Sequence, residues 1–154
     1  MKPKLVETAL VASILGGFYT VYNYYGCGLA ESVYAGALEY ELVDRGHRVV
    51  RELAVDISYK GRHVAWQRLD MVVNETVILE IKANEILPSF AKRQLINYLG
   101  VTAFPVGILL HFGPEPRFHR FVDSEKRLLR GRSGADAGGA GAGGQRFVQS
   151  QHHT

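Results

Sequence analysis

Hydrophobic and polar residues follow two different spacings along this chain. In residues 5–25 the apolar side chains recur every three or four positions, and one face of a helix would carry Val11, Leu15, Phe18, Tyr22 and Tyr25. This spacing predicts an amphipathic first helix. A second helix is predicted from Leu29 to Arg45, because Gly46 stands where a helix commonly ends.

Strand patterns follow the two helices. Val49–Tyr59 and His63–Val73 flank the turn residues Lys60-Gly61-Arg62, which predicts a β-hairpin. After a second tight connection at Asn74-Glu75, the run Thr76–Ala83 is apolar at almost every position. A continuous apolar run is typical of a strand that is buried on both faces, so we expect this strand near the centre of the sheet.

The remaining pattern predicts a helix, two strands and a tail. The helix runs from Pro88 to about Leu99 with Ser89 as its N-cap, and the strands are Pro105–Phe112 and Arg117–Val122. The order α-α-β-β-β-α-β-β predicts an α/β fold with a mixed sheet of about five strands flanked by helices. We expect one domain over residues 1–125. Residues 126–154 are basic and then rich in glycine and alanine, which predicts a disordered tail.

The net charge of +3 is unevenly distributed. Residues 1–116 are nearly neutral, whereas residues 117–132 hold six Lys/Arg against two acidic residues. This basic segment is either a contact for nucleic acid or a solvated, charge-rich terminus. The single cysteine excludes an internal disulfide framework and favours a reducing, cytoplasmic compartment. No segment is long and apolar enough for a membrane span, so we expect no membrane association.

The candidate chemistry lies in Glu80-Ile81-Lys82 and Asp70. Residues two apart in a strand point to the same face, so Glu80 and Lys82 emerge side by side from an apolar run. The short turn before this strand brings Asp70 close to both. Asp70 and Glu80, with the backbone carbonyl of Ile81, form a candidate Mg²⁺ or Mn²⁺ site, and Lys82 would orient water or offset phosphate charge. The alternative is a structural Glu–Lys pair, since Glu-x-Lys is a common tripeptide.

Residues on the flanking helices extend this constellation. Glu31 shares a helical stripe with Tyr34 and Leu38, which predicts that its carboxylate points toward the sheet. Gln94 and Tyr98 are neighbours one turn apart on the helix that follows the Glu-x-Lys strand.

Trp66 and Arg68 alternate with Asp70 along one strand. Stacking and charge could bring both side chains to a nucleic acid. A lone tryptophan in a strand is more often part of the core, which is the interpretation we favour.

These residues resemble those of a known family. Gly28-Leu-Ala-Glu31-Ser-Val-Tyr34 resembles the GxxExxY signature of a group of small prokaryotic proteins, and the likeness continues through Asp70, Glu80-Ile81-Lys82-Ala83 and Gln94-Leu95-Ile96-Asn97-Tyr98 to about residue 122. That group is similar to the PD-(D/E)xK nuclease superfamily, and the Gln-x-x-x-Tyr element resembles that of RecB-type nucleases. Leu69 stands where the superfamily name has proline.

The resemblance implies a restriction-endonuclease-like core and a metal-dependent nuclease. Asp70, Glu80 and Lys82 match the metal-binding and catalytic triad, Glu31 an additional acid, and Gln94 with Tyr98 the motif on the following helix. The expected partner is nucleic acid, with DNA as the expected substrate. The alternative is a nucleic-acid-binding or partner-binding module on the same fold that acts as a subunit of a larger complex. Self-association is also expected, because so small a domain leaves a sheet edge or helix face to cover.

Overall fold

The computed structural model describes residues 3–126 and 147–150, and within them the elements follow the predicted order. The helices are α1 (Pro3–Tyr25), α2 (Glu31–Asp44) and α3 (Ala91–Val101). The strands are β1 (Val49–Tyr59), β2 (Arg62–Val73), β3 (Val77–Lys82), β4 (Val106–Phe112), β5 (Pro116–Asp123) and β6 (Phe147–Ser150).

The strands form one mixed sheet in the order β1-β2-β3-β4-β5-β6. Neighbours pair antiparallel except β3 and β4, which are parallel. A parallel pair needs a crossover connection, and α3 supplies it. The predicted α/β class, with helices flanking a mixed sheet, is confirmed. The sheet has a sixth described strand, β6, which lies inside the segment that we expected to be disordered. The Gly/Ala-rich stretch itself lies outside the described residues.

Hydrophobic clusters cover both faces of the sheet. On one face α1 and α2 pack against Val77, Leu79 and Ile81 of β3. On the other face α3 packs against Ile78 of the same strand. Successive side chains of a strand point to opposite faces, so β3 contributes to both clusters and is the central strand that its apolar run predicted.

Tyr34 fixes the connection between α1 and α2. Its hydroxyl donates to the carbonyl of Gly26 at 2.7 Å and accepts from the backbone N–H of Leu29 at 3.1 Å. Its ring is fully buried and stacks on Phe112, with centroids 4.3 Å apart. Tyr34 was a candidate site residue, but these contacts give it a structural role.

Helix α3 begins later than predicted. Its first residue is Ala91, and Phe90 occupies the N-cap position without a side-chain capping bond. The prediction of Ser89 as the N-cap is therefore wrong. The backbone N–H of Ala91 donates to the carbonyl of Pro88 instead, so a turn at Pro88 precedes the helix.

The described part of the basic segment is engaged within the fold. Arg120 donates to Glu7 at 3.0 Å, and both side chains are largely buried. Arg117 pairs with Glu115 at 2.8 Å, and Lys126 pairs with Asp123 at 3.3 Å. These three cations are therefore compensated by neighbouring carboxylates. Arg127, Arg130 and Arg132 lie outside the described residues.

We expect Gly107→Ala to destabilise the protein by about 1–3 kcal/mol. A Cβ at Gly107 in β4 would lie 2.8 Å from Cδ1 of the fully buried Leu95, so the packing of Leu95 between α3 and the sheet would have to shift. Urea denaturation measures the effect. Gly36→Ala is the matched control, because a Cβ there meets nothing within 4 Å and alanine favours the helix. Equal stabilities for the two variants would contradict the expectation.

Candidate active site

The site forms where β2 separates from β3. The antiparallel ladder between them runs from Val73 and Val77 to Met71 and Leu79 and ends there. One step further, Oδ2 of Asp70 accepts a hydrogen bond from the backbone N–H of Ile81 at 3.0 Å. The Asp70 side chain therefore takes the place of a backbone partner and is held beside Glu80.

The tight connection before β3 sets this alignment. Asn74 and Glu75 both have positive φ, 51° and 53°, and the N–H of Thr76 donates to the carbonyl of Val73 at 3.0 Å. Asn74 is also anchored by its side-chain oxygen, which accepts from the N–H of Arg48 at 2.8 Å. The predicted proximity of Asp70 and Glu80 thus follows from a rigid turn of fixed length.

Glu80 is a buried carboxyl group with incomplete compensation. Its residue is only 4% exposed, and burial together with the charge of Asp70 raises its pKa from 4.5 to about 8, although Lys82 acts in the opposite direction. Among the described residues, its Oε1 atom has no hydrogen-bond partner. A buried carboxylate without full pairing is costly, so this group is suited to bind a cation.

Lys82 lies two residues after Glu80 on the same strand and is half-buried. Residues two apart in a strand share a face, so the Lys82 ammonium is on the side of Glu80 and acts to lower its pKa. The structure therefore brings Asp70, Glu80 and Lys82 together, as the strand pattern and the short turn predicted.

Helix α3 adds a phenol to this cluster. Burial raises the pKa of Tyr98, and the charges of Glu80 and Asp70 raise it further. Tyr98 therefore lies near both carboxyl groups and keeps its proton at neutral pH, so it can donate a hydrogen bond. Gln94 precedes it by one turn and is half-buried. Helix α3 packs on the sheet through one buried stripe, formed by Ala91, Leu95 and Leu99. Gln94 and Tyr98 each directly precede a residue of this stripe and lie along its edge.

Glu31 does not point toward the sheet as predicted. It is the first residue of α2, and its side chain is exposed. The apolar side chains of α2 pack on the sheet face opposite α3. No described contact links Glu31 to Asp70 or Glu80. The prediction from helical spacing was wrong because Glu31 lies at the end of the helix. There a side chain can reach water even when its neighbours on the same stripe are buried.

His111 joins the site and was not predicted. Its backbone pairs with Lys82 across the parallel β3–β4 ladder, and its Nε2 donates to the carbonyl of Asn84 at 2.7 Å. The ring is buried and leaves so little room that a Cβ at Gly113 would lie 2.6 Å from it. The sequence did contain a signal for this position, because His111 is a polar residue inside the otherwise apolar strand Val106–Phe112.

Glu52 marks a local irregularity next to the site. Its φ is 52°, in the left-handed region that a strand residue rarely adopts. The flanking pairs are Arg51 with Met71 and Leu53 with Leu69, so Glu52 faces Asp70. Such conformations are concentrated at functional sites.

A groove of about 470 Å³ between α1 and α2 is distinct from this cluster. Tyr24, Val33 and Tyr40 are among its lining residues. It contains none of the residues that the sequence nominated for catalysis or metal binding.

A comparison with known protein families identifies the family of this chain. The family model of the PD-(D/E)XK nuclease superfamily matches residues 8–121, about three quarters of the chain. The chain belongs to the PD-(D/E)XK nuclease superfamily. No curated protein and no solved structure matches the chain. The matched range begins in α1, ends in β5 and includes the whole Asp70–Glu80–Lys82 cluster.

Members of the PD-(D/E)XK nuclease superfamily typically use divalent metals, and the residues present fit such an ion. Asp70 and Glu80 offer hard oxygen ligands, and Oε1 of Glu80, which has no hydrogen-bond partner within the described part of the chain, can serve as an acceptor. The described residues contain no group of three or more His, Cys, Asp and Glu that could hold a metal. Two carboxylates match Mg²⁺, which commonly keeps waters and substrate phosphates as its other ligands.

One finding bears on the membrane expectation. Among the residues described, no helix is both long enough and apolar enough to cross a membrane.

We expect Glu80→Gln to stabilise the metal-free protein at alkaline pH. The pKa of Glu80 is near 4.5 in the unfolded chain and about 8 in the folded one, so between these values the native state holds a proton that the unfolded state releases. Stability therefore falls as pH rises through this window, by about 1.4 kcal/mol per unit from this group, and levels off above it. The amide cannot ionise and removes this loss.

Urea denaturation in chelator between pH 5 and pH 9 measures the difference between variant and wild type. Glu85→Gln is the matched control, because Glu85 is an exposed carboxylate close to the site along the chain. We expect the control to keep the wild-type pH dependence. A Glu80→Gln variant with an unchanged pH dependence would show that Glu80 ionises normally in the folded protein.

Proposed function

We propose that this protein is a divalent-metal-dependent nuclease that hydrolyses phosphodiester bonds of DNA. The observation that carries the proposal is the buried Glu80 beside the half-buried Asp70 and the ammonium of Lys82, with one oxygen of Glu80 that has no hydrogen-bond partner among the described residues. Membership in the nuclease superfamily supports the reaction class.

The roles follow from the charge and position of each group. Asp70, Glu80 and the backbone carbonyl of Ile81 would hold Mg²⁺ or Mn²⁺. When bound, the ion supplies Lewis-acid activation of water and of the phosphate. Lys82 offsets negative charge on the scissile phosphate and orients the attacking water. The Ile81 N–H keeps the Asp70 carboxylate in place through the bond at 3.0 Å.

Residues of α3 complete the proposed site. Tyr98 remains protonated because its pKa is raised, so its hydroxyl can donate to a phosphate oxygen or to a carboxylate. Gln94 lies one turn earlier and would contact the substrate backbone. His111 donates to the carbonyl of Asn84, which holds the segment after Lys82 against β4, so it acts as a positioning residue.

Within the superfamily, we propose that the chain belongs to the GxxExxY group. Gly28, Glu31 and Tyr34 carry the signature, and the buried Tyr34 accounts for its tyrosine by closing the α1–α2 connection. A nuclease of this kind would act in the cytoplasm, where its DNA substrate is accessible. It would act as a homo-oligomer or with a protein partner if the chain alone is inactive.

We expect purified protein to cleave DNA with Mg²⁺ or Mn²⁺ and not in chelator. Asp70→Ala, Glu80→Ala and Lys82→Ala should each reduce the rate by about 10²–10⁴-fold, because each removes a group that acts on the reacting phosphate. Gel assays on single-stranded and duplex DNA and on RNA measure the rate. Lys4→Ala and Glu85→Gln change exposed charges and serve as controls.

The alternative function, a binding module on the same fold, gives a different result. It predicts salt-dependent nucleic-acid binding that survives Glu80→Ala, with no cleavage by any variant or by wild type. Cleavage that persists unchanged in Lys82→Ala would contradict the proposed roles.

We expect Glu31→Gln to affect cleavage far less than Glu80→Gln. Glu31 is exposed on α2, whereas Glu80 lies inside the charged cluster. A loss below about tenfold for Glu31, against at least a hundredfold for Glu80, would fit their positions. Equal losses would show that α2 moves toward the site when substrate binds.

A further inference from the structure

The outer half of the β1–β2 hairpin extends beyond the rest of the sheet. β1 and β2 pair from Val49 and Val73 to Tyr59 and Arg62, whereas β3 pairs only with the inner end of β2, Met71–Val73. We call residues 53–68 the outer hairpin. Its β2 half ends two residues before Asp70.

The outer hairpin has one packed face and one open face. On β1 the side chains alternate, with Leu53 and Val55 packed against the α3-side cluster and Ala54 and Asp56 exposed. Ala54 pairs with Arg68 and Asp56 pairs with Trp66, so these four residues share the open face. The face that carries Trp66 is therefore turned to solvent.

Trp66 is exposed, which corrects the expectation that it belongs to the core. The residue is 68% exposed in the described structure, and its ring lies 5.1 Å from the ring of His63 at a tilt of 47°. His63 is hydrogen-bonded in turn to Asp56. Neighbours thus restrain the indole while most of its surface stays available. Val64 and Tyr59 are exposed on the same hairpin, so the apolar surface is larger than one side chain.

Positive charge accompanies this aromatic surface. Lys60 and Arg62 flank the turn, and the Lys60 ammonium lies over the Tyr59 ring at 5.3 Å. The Arg68 side chain is 70% exposed, and its guanidinium comes no closer than 4.0 Å to the carboxylate of Glu52. Exposed aromatic rings among cations are the combination that binds single-stranded nucleic acid, with stacking for the bases and charge for the phosphates.

Trp66 lies on the same strand as Asp70, four residues earlier. The open face that carries Trp66 is opposite to the α3 side of the sheet, where Leu69, Ile78 and Tyr98 pack, so the hairpin surface and the site lie on different faces.

We propose that the outer hairpin binds the substrate strand. Trp66 stacks on an unpaired base, and Arg62 and Arg68, which lie on either side of Trp66 along β2, contact the neighbouring phosphates. That the bound strand is the substrate of the site rests on the proposed nuclease function, whereas the binding does not.

The intrinsic fluorescence of the protein reports on this contact directly. Trp66 is the only tryptophan of the chain. We expect unlabelled single-stranded oligonucleotides of about ten nucleotides to quench it in a saturable way, in chelator so that no cleavage occurs. A blunt duplex offers no unpaired base in its interior and should quench less. Parallel titrations with deoxyribo- and ribo-oligonucleotides determine which strand is bound more tightly.

Variants separate stacking from charge. Trp66→Ala should weaken binding of a labelled single strand, measured by anisotropy, by about 5- to 150-fold, and Trp66→Phe should keep part of the affinity. Arg68→Ala should lower the slope of log affinity against log salt by about one. Tyr40→Ala is the matched control, since Tyr40 is an aromatic residue on α2 with 76% exposure.

The outcomes separate this inference from the proposed function. Three results would each overturn the inference. They are binding of single strands without a change in Trp66 fluorescence, equal affinities for Trp66→Ala and Tyr40→Ala, and no oligonucleotide binding at all. If Trp66→Ala keeps both metal-dependent cleavage and wild-type affinity, the nuclease function is supported and the hairpin contact is refuted. Quenching and Trp66-dependent binding without any cleavage support the hairpin contact and count against the nuclease.

Discussion

Burial of β3 on both faces is the constraint on which the fold and the site depend. The strand lies between two hydrophobic clusters and pairs with β4 along its length and with β2 as far as Leu79. The Glu80 side chain, near the middle of the strand, is therefore shielded from bulk water. Glu80 therefore meets only what the neighbouring elements place beside it, and these are the Asp70 carboxylate, the Lys82 ammonium and the Tyr98 phenol. The same packing that stabilises the sheet thus raises the pKa of this carboxyl group.

This arrangement is costly to the free protein. An apolar residue at position 80 would pack between the same neighbours without the desolvation and the repulsion from Asp70 that raise the pKa of Glu80 to about 8. Two other unfavourable features lie close by. Glu52, opposite Asp70, has a left-handed backbone conformation, and Oε1 of Glu80 has no hydrogen-bond partner among the described residues. Local costs concentrated at one place indicate that the place serves binding or catalysis.

The sequence predicted what depends on local pattern and missed what depends on tertiary position. Hydrophobic spacing located the helices and strands to within a few residues, and the short turn at Asn74-Glu75 was enough to place Asp70 beside Glu80. The exposure of Trp66 could not be predicted, because it depends on how far along the hairpin the helices cover the faces of the sheet. The position of His111 beside Lys82 depends on the parallel register of β3 and β4. Local sequence does not predict this register, because helix α3 separates the two strands along the chain.

Two further misses have the same physical origin. Glu31 shares the spacing of a buried stripe, but its place at the first residue of α2 leaves it in water. Strand β6 is four residues long and follows a glycine- and alanine-rich stretch, so only its pairing with β5 reveals it. A strand this short has too little pattern of its own to be recognised from local sequence.

The two turns of β2 differ in how much variation in length they tolerate. An added residue at Asn74-Glu75 would shift β2 against β3 by one position and turn Asp70 to the opposite face, away from Glu80. An added residue at Lys60-Gly61 would only change the far end of the hairpin. Evolution can therefore lengthen or shorten this protein at one end of β2 while the spacing between Asp70 and Glu80 at the other end stays fixed.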